Sequence, residues 1–285
     1  RVGSDRVMPH YRDRVRARNH VAAFIKSFYR RSDMSMLELT PDFIKEFAAY
    51  LSTEAGLRNG SIWANCMWLK GVVMKAHYNG LIPRNPFIQF HISPNVKERE
   101  YLTEDELKAV MTHEFADSKL AYIRDIFIFA SFTVLSFVDI QELTNDNIVE
   151  VNGEKWILSK RHKTKVAFQV KLLDIPLQIV ERYRPMQKDN RIFPDLNYWS
   201  ICKPLKRMIR ECGITKSISF HCSRHGFATL ALSKGMPIES VSRVLGHTNI
   251  VTTQLYAKIT TQKLDNDLTM FGDKLSKTFN GITMS

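Results

Sequence analysis

Hydrophobic positions recur at helical spacing along most of the chain and alternate in one short stretch. Between residues 14 and 31, Val21, Phe24, Ile25 and Phe28 form an apolar stripe behind a basic start, which predicts a helix. Thr40-Pro41-Asp42 is a helix start with proline in the first turn, and Phe43 to Leu51 continues with helical periodicity. Ser61 is the expected cap of a third helix through Trp63, Trp68, Val72, Val73 and Ala76, which Asn79-Gly80 ends. Pro83, Pro86 and Pro94 then punctuate an extended linker.

Beyond the linker, Thr103 followed by Glu104, Asp105 and Glu106 reads as an N-cap with acidic first-turn residues. The run Ile123–Phe137 is nearly all apolar, which predicts a fully buried helix too short and interrupted for a membrane span. Ile148–Val151, Trp156–Ser159 and Val166–Leu172 are strand-like, with turns at Asn152-Gly153 and near His162–Thr164. Helical patterns then resume, including an amphipathic stretch Pro237–Leu245 closed by Gly246. The expected architecture is mainly α with a small antiparallel β-sheet. It divides into a helical domain over residues 1–94 and a second, mainly helical domain over 98–285.

Composition agrees with two packed domains: 285 residues, of which 44% are hydrophobic and 11% aromatic. A net charge of +12 points to a polyanionic partner, with nucleic acid the default. The excess concentrates in the first 97 residues, which carry 15 Lys/Arg against 7 Asp/Glu. Cys66, Cys202, Cys212 and Cys222 form no CxxC pair, so a reduced cytosolic compartment fits best. Neither a membrane-spanning run nor a signal peptide is visible. The chain opens on Arg1 rather than Met, so a segment N-terminal to it is expected to be missing.

Four features carry the chemistry: Lys163 in a hairpin, His221-x-x-Arg224, His247 after Leu245-Gly246, and Tyr256. Taken singly, each reads as ordinary packing or a solvated charge. His221 and Arg224 share a helix face, and His225 completes an HxxxH pattern that also occurs in metal sites. No glutamate follows the first histidine and no acidic third ligand is nearby, which argues against metal.

Together these segments resemble the tyrosine recombinase, or phage integrase, family. HCSRHGFAT is similar to the family's His-x-x-Arg-His block, and SRVLGHTNIVTTQLYAKI to its Leu-Gly-His, Thr-Thr and Tyr block. Arg224 and His247 lie 23 positions apart, and Tyr256 follows nine further on, as in the family. NPF at 85–87 and YLTEDEL at 101–107 resemble its interdomain junction, so the likeness covers roughly residues 14–265.

The resemblance implies a two-domain DNA clamp that cleaves and rejoins strands through a 3′-phosphotyrosine, without metal or other cofactor. It implies double-stranded attachment sites, four protomers on two duplexes, accessory DNA-bending proteins, and a mobile element in a bacterial cytoplasm. In that scheme Tyr256 is the nucleophile and Arg224 a fork of donors to the phosphate. His221 and His247 donate hydrogen bonds or shuttle protons. Lys163 protonates the leaving 5′-oxygen, with Lys160 and Lys165 as rivals. Arg12, Arg14, Arg16, Arg18, Arg30 and Arg31 are the candidate backbone contacts of the first domain. Leu264, Leu268, Met270 and Phe271 form the apolar face of a tail that docks on a neighbouring subunit or on its own.

One position departs from the pattern. Where the family has an arginine in a Thr-Gly-Leu-Arg segment, this chain reads Thr133-Val134-Leu135-Ser136, with Asp139 at the family's acidic position. The loss resembles integrases of conjugative transposons. Arg161, two residues before Lys163, is the expected replacement. The alternatives are a type IB topoisomerase and a non-catalytic DNA-binding relative.

Overall fold

The computed structural model describes residues 8–94, 100–162, 165–187, 189–247, 249–256, 261–278 and 280. The chain forms two compact units, Arg1–Glu98 and Arg99–Ser285.

The first unit holds α1 (Met8–Phe28), α2 (Pro41–Thr53) and α3 (Asn59–Tyr78). Its core is aromatic: Phe24 is fully buried and meets Phe43, Tyr50 and Phe47 at centroid distances of 5.1, 5.3 and 5.5 Å. Each such ring removed from water contributes roughly 1.5–3 kcal/mol. The Thr40 hydroxyl caps α2 at the Phe43 N–H, with Pro41 in the first turn as expected. Two boundaries differ from the sequence reading. Helix α1 is already helical at Met8, the first described residue, and ends at Phe28, ahead of Arg30 with its left-handed φ of 58°. Helix α3 starts two residues before Ser61, after an extended Arg58 that supplies no side-chain cap. Asn79 and Gly80 close α3, the glycine at φ 72°.

The second unit is built around α5 (Ser118–Thr133), which packs against α4 (Glu104–Thr112), α7 (Asp174–Tyr183), α8 (Tyr198–Glu211) and α9 (Cys222–Ser233). A reciprocal capping box between Thr103 and Glu106 opens α4. The apolar run does not stay helical to Phe137. It breaks after Thr133, where Val134 takes φ 61°, a left-handed conformation that is rare for a β-branched residue. A short helix α6 (Phe137–Gln141) follows.

Strands β1 (Ile148–Val151), β2 (Glu154–Lys160) and β3 (Ala167–Lys171) form an antiparallel sheet in that order. Ile157 faces Ile148 on one side and Val170 on the other. Asn152 and Gly153 turn the first hairpin with φ of 54° and 78°, the signature of a type I′ turn. The remaining elements are α10 (Ile238–Leu245), α11 (Val251–Gln254) and α12 (Thr261–Thr278). No helix among the described residues is long and apolar enough to cross a membrane.

Candidate active site

The break after α5 organises the site. The left-handed turn at Val134 leaves its carbonyl open to two guanidinium groups, Arg161 Nη1 and Arg224 Nη1, each donating at 3.3 Å. The fully buried Val134 side chain packs in a small cluster with Ala228, Ala231, Leu232, Val241 and Leu245, and Tyr256 lies against it. One strained residue thus joins the end of α5, the β2–β3 hairpin, α9 and α10.

Ser136 caps α6: its hydroxyl accepts the Asp139 N–H at 3.3 Å and donates to Asp139 Oδ2 at 2.8 Å. Asp139 also receives Arg161 Nη1 at 3.0 Å and the His162 N–H at 3.0 Å. Burial alone would raise this carboxyl. The donors from His162, Ser136 and Arg161 outweigh it and hold the group below its usual range. Arg161, 8% exposed, is further fixed by Nη2 to the Val244 carbonyl at 3.1 Å and by the Phe168 ring at 4.2 Å. Its Nε is buried without a hydrogen-bond partner among the described residues. Gly246 stands beside that atom at φ 66°, a conformation a side chain strains.

Arg224, from α9, also donates through Nη2 to the Leu245 carbonyl. Burial first, and Arg161 second, push its pKa down to about 10, while Tyr256 and Asp139 pull it back up. It remains a cation at neutral pH. The buried Arg161 is thus paired with Asp139, whereas the half-buried Arg224 is bonded only to the Val134 and Leu245 carbonyls, so among the described residues these two guanidiniums and one carboxylate leave a net positive charge. Such a site is costly unless an anion completes it.

The histidines close the arrangement. His247 follows α10 and places its Nδ1 2.9 Å from the Thr253 hydroxyl. Its pKa is lowered by burial, then by Arg224 and Arg161, which disfavours the charged imidazolium. The His247 and Tyr256 rings lie 6.4 Å apart and nearly parallel. His225 meets Tyr256 at 5.1 Å, and His221 meets His225 at 4.8 Å. Tyr256, Arg224, Arg161, His247, His225 and His221 are thereby brought into one neighbourhood. Among the described residues no group of three His, Cys, Asp or Glu side chains is arranged to hold a metal ion.

Lys163 and Thr164 lie outside the described residues. Of the rivals, Lys160 ends β2 and is exposed, and Lys165 is exposed with φ 56°. Arg12, Arg14, Arg16 and Arg18 are exposed along α1, Arg16 beside Asp13 at 3.5 Å. Arg30 is exposed, while Arg31 is held by Glu38 through two bonds of 2.6 and 3.2 Å.

Three things escaped the sequence reading. His225, in the sequence a member of the His-x-x-Arg-His block with a metal ligand or an ordinary helix histidine as alternatives, has its ring against Tyr256. Thr253 was not singled out. A mainly basic stripe on α8 was also missed: Lys203, Lys206, Arg207 and Arg210 line an open cleft with Glu211, which pairs with Arg207 at 2.8 Å, and Trp199 is 82% exposed one turn before Lys203. Its signal was present, since Ile201, Leu205, Met208 and Ile209 are buried on the opposite face.

Comparison with known proteins bears on the family and the fold. The phage integrase family model matches residues 100–263, and a phage integrase SAM-like domain matches residues 4–92. A tyrosine recombinase XerA of Pyrococcus horikoshii is 32% identical over 177 residues, covering 57% of this chain and 58% of the relative. A tyrosine recombinase XerC of Lactobacillus leichmannii is 25% identical over 229 residues, covering 75% of this chain and 77% of the relative. The chain therefore spans under two thirds of the length of the first of these relatives. In fold, it resembles the Tn1549 transposon integrase in complex with circular intermediate DNA (TM-score 0.77, 17% identity, 93% and 95% of the two chains). It also resembles a lambda integrase dimer bound to a core site (TM-score 0.70, 16% identity, 89% and 90%). With its catalytic-domain match spanning more than half of its length, the chain belongs to the phage integrase family of tyrosine recombinases.

Proposed function

We propose that the protein is a site-specific DNA recombinase that cleaves and rejoins strands through a covalent 3′-phosphotyrosine at Tyr256. The observation that carries this reading is the meeting of Arg161 and Arg224 on one carbonyl, with Asp139 bonded to Arg161 alone, beside Tyr256 and His247. A scissile phosphate supplies the missing anion. The Tyr256 phenolate attacks the phosphorus, and the phosphate stays on the tyrosine while the 5′-oxygen leaves. The two guanidiniums stabilise the charge that builds on the non-bridging oxygens. Arg161 takes the place of the arginine absent at Ser136, held there by Asp139. His221 and His247 donate to the phosphate, and Lys163 protonates the leaving oxygen.

The basic faces of α1 and α8 would meet the DNA backbone, which supplies affinity without sequence information. Four protomers acting on paired attachment sites, with accessory DNA-bending proteins and in a bacterial cytoplasm, complete the proposal. Integration and excision of a mobile element is the matching role. The exposed line of Leu264, Leu268, Phe271 and Leu275 on α12 favours a tail that docks on another subunit.

The test is a nicked duplex carrying a candidate attachment sequence, incubated with the parent protein and with Tyr256→Phe. The expected result is a denaturation-resistant adduct from the parent alone. Salt-sensitive binding with no adduct would instead identify a non-catalytic DNA-binding relative. Relaxation of any supercoiled plasmid would identify a type IB topoisomerase.

A further inference from the structure

The hydroxyl of Thr253 sits at a junction between two pieces of the site. It is fully buried on α11, three residues before the nucleophile, and the Tyr256 N–H donates to its carbonyl at 3.0 Å. Its side chain reaches back to His247 Nδ1 at 2.9 Å. The His247 main chain is independently tied to α10 by its N–H to the Ser242 carbonyl at 3.0 Å. The imidazole thus stands on one element and is held through its ring by the segment that carries the tyrosine.

We propose that Thr253 is a positioning residue: its hydroxyl donates to His247 Nδ1, fixes the ring proton on Nε2, and couples the imidazole to the docking of the Tyr256 segment. The argument is one of donor count. A neutral imidazole has one N–H and one bare nitrogen, and a partner at one nitrogen decides the role of the other. The groups around His247 are Arg224, Arg161 and Tyr256, and burial together with the two cations disfavours the imidazolium. A hydroxyl can donate or accept, but the fully buried Thr253 Oγ1 has no other hydrogen-bond partner among the described residues, so its proton goes to Nδ1 and Nε2–H is the ring's donor. When the Tyr256 segment leaves, the latch leaves with it, and His247 loses both its tautomer and its orientation. The site is then assembled for the phosphate only with the nucleophile in place. This inference rests on the reading of His247 as a donor to the phosphate.

Thr253→Val keeps the shape and removes the hydroxyl, whereas Thr253→Ser keeps the hydroxyl. In single-turnover adduct formation, Thr253→Val is expected to be slower on the order of tenfold, the scale of one lost hydrogen bond, and Thr253→Ser to restore most of the rate. In a His247→Ala background, Thr253→Val should cost nothing further. An unchanged rate in Thr253→Val, or equal slowing with and without His247, overturns the proposal.

Nitrogen NMR of histidine-labelled free protein reads the tautomer without any cleavage, with His247→Ala assigning the signal. The Nε2–H form is expected in the parent and in Thr253→Ser, and a mixture in Thr253→Val. An Nε2–H form that survives in Thr253→Val overturns the latch. A parent that gives no Tyr256-dependent adduct sinks the functional reading, and the tautomer result still decides the role of Thr253.

Discussion

At the scale of single residues, Asp139 is the hinge of the account. It neutralises one of two guanidiniums, caps α6 with Ser136 and receives the His162 amide. Its pKa is held low in the folded state, so its contribution to stability is present above the unfolded carboxylate value of about 3.9 and is lost as pH falls through the lower folded value. Thermal melts of the parent should therefore decline on acidification below about pH 4, and Asp139→Asn should flatten that decline. An unaltered acid limb in Asp139→Asn would contradict the assignment. Arg161 provides the complementary test. Arg161→Ala is expected to lower adduct formation by roughly 10²–10³ while DNA binding changes little, as for removal of one transition-state donor. Cleavage at the parental rate would show that Arg161 does not replace the missing arginine.

At the scale of elements, legibility followed sequence distance. Caps and turns are local, so Thr40, Thr103, Asn152-Gly153 and Gly246 could be recognised from their own neighbours. The family blocks around His221-x-x-Arg224 and His247 to Tyr256 were legible because each lies within one short segment. The left-handed Val134 was not, since a β-branched residue there is locally unfavourable and is held by the cluster it enters. Nor were the bonds of Arg161 to Asp139 and Val244, which join segments far apart in the chain. The basic side of α8 is offset by acidic neighbours in a nearly balanced second domain, whereas the basic excess of the first 97 residues stands out in the sequence. Lys206→Ala and Arg210→Ala should each weaken DNA binding across sequences and reduce the slope of log affinity against log salt by about 1. An unchanged slope in both would remove α8 from the interface.

At the scale of the whole molecule, the net charge of +12 and the apolar line on α12 bear on the two partners proposed above. The charge suits DNA. The line suits protein, because Leu264, Leu268, Phe271 and Leu275 recur at helical spacing while all remaining exposed; Met270, included in the sequence reading, falls off it. Leu268→Asp with Phe271→Asp is expected to leave binding to a single attachment site intact and to abolish complexes that hold two duplexes, as measured by native gel and light scattering. Paired complexes that persist would show that the α12 line is not the assembly contact.

The most direct test of the central claim is the identity of the residue joined to DNA. Adduct trapped on a 5′-bridging phosphorothiolate duplex would be digested with nuclease and trypsin, and the nucleotide-bearing peptide sequenced by mass spectrometry. The account predicts a 3′-nucleotide on Tyr256. A nucleotide on another side chain, or on the 5′ side of the break, would contradict it.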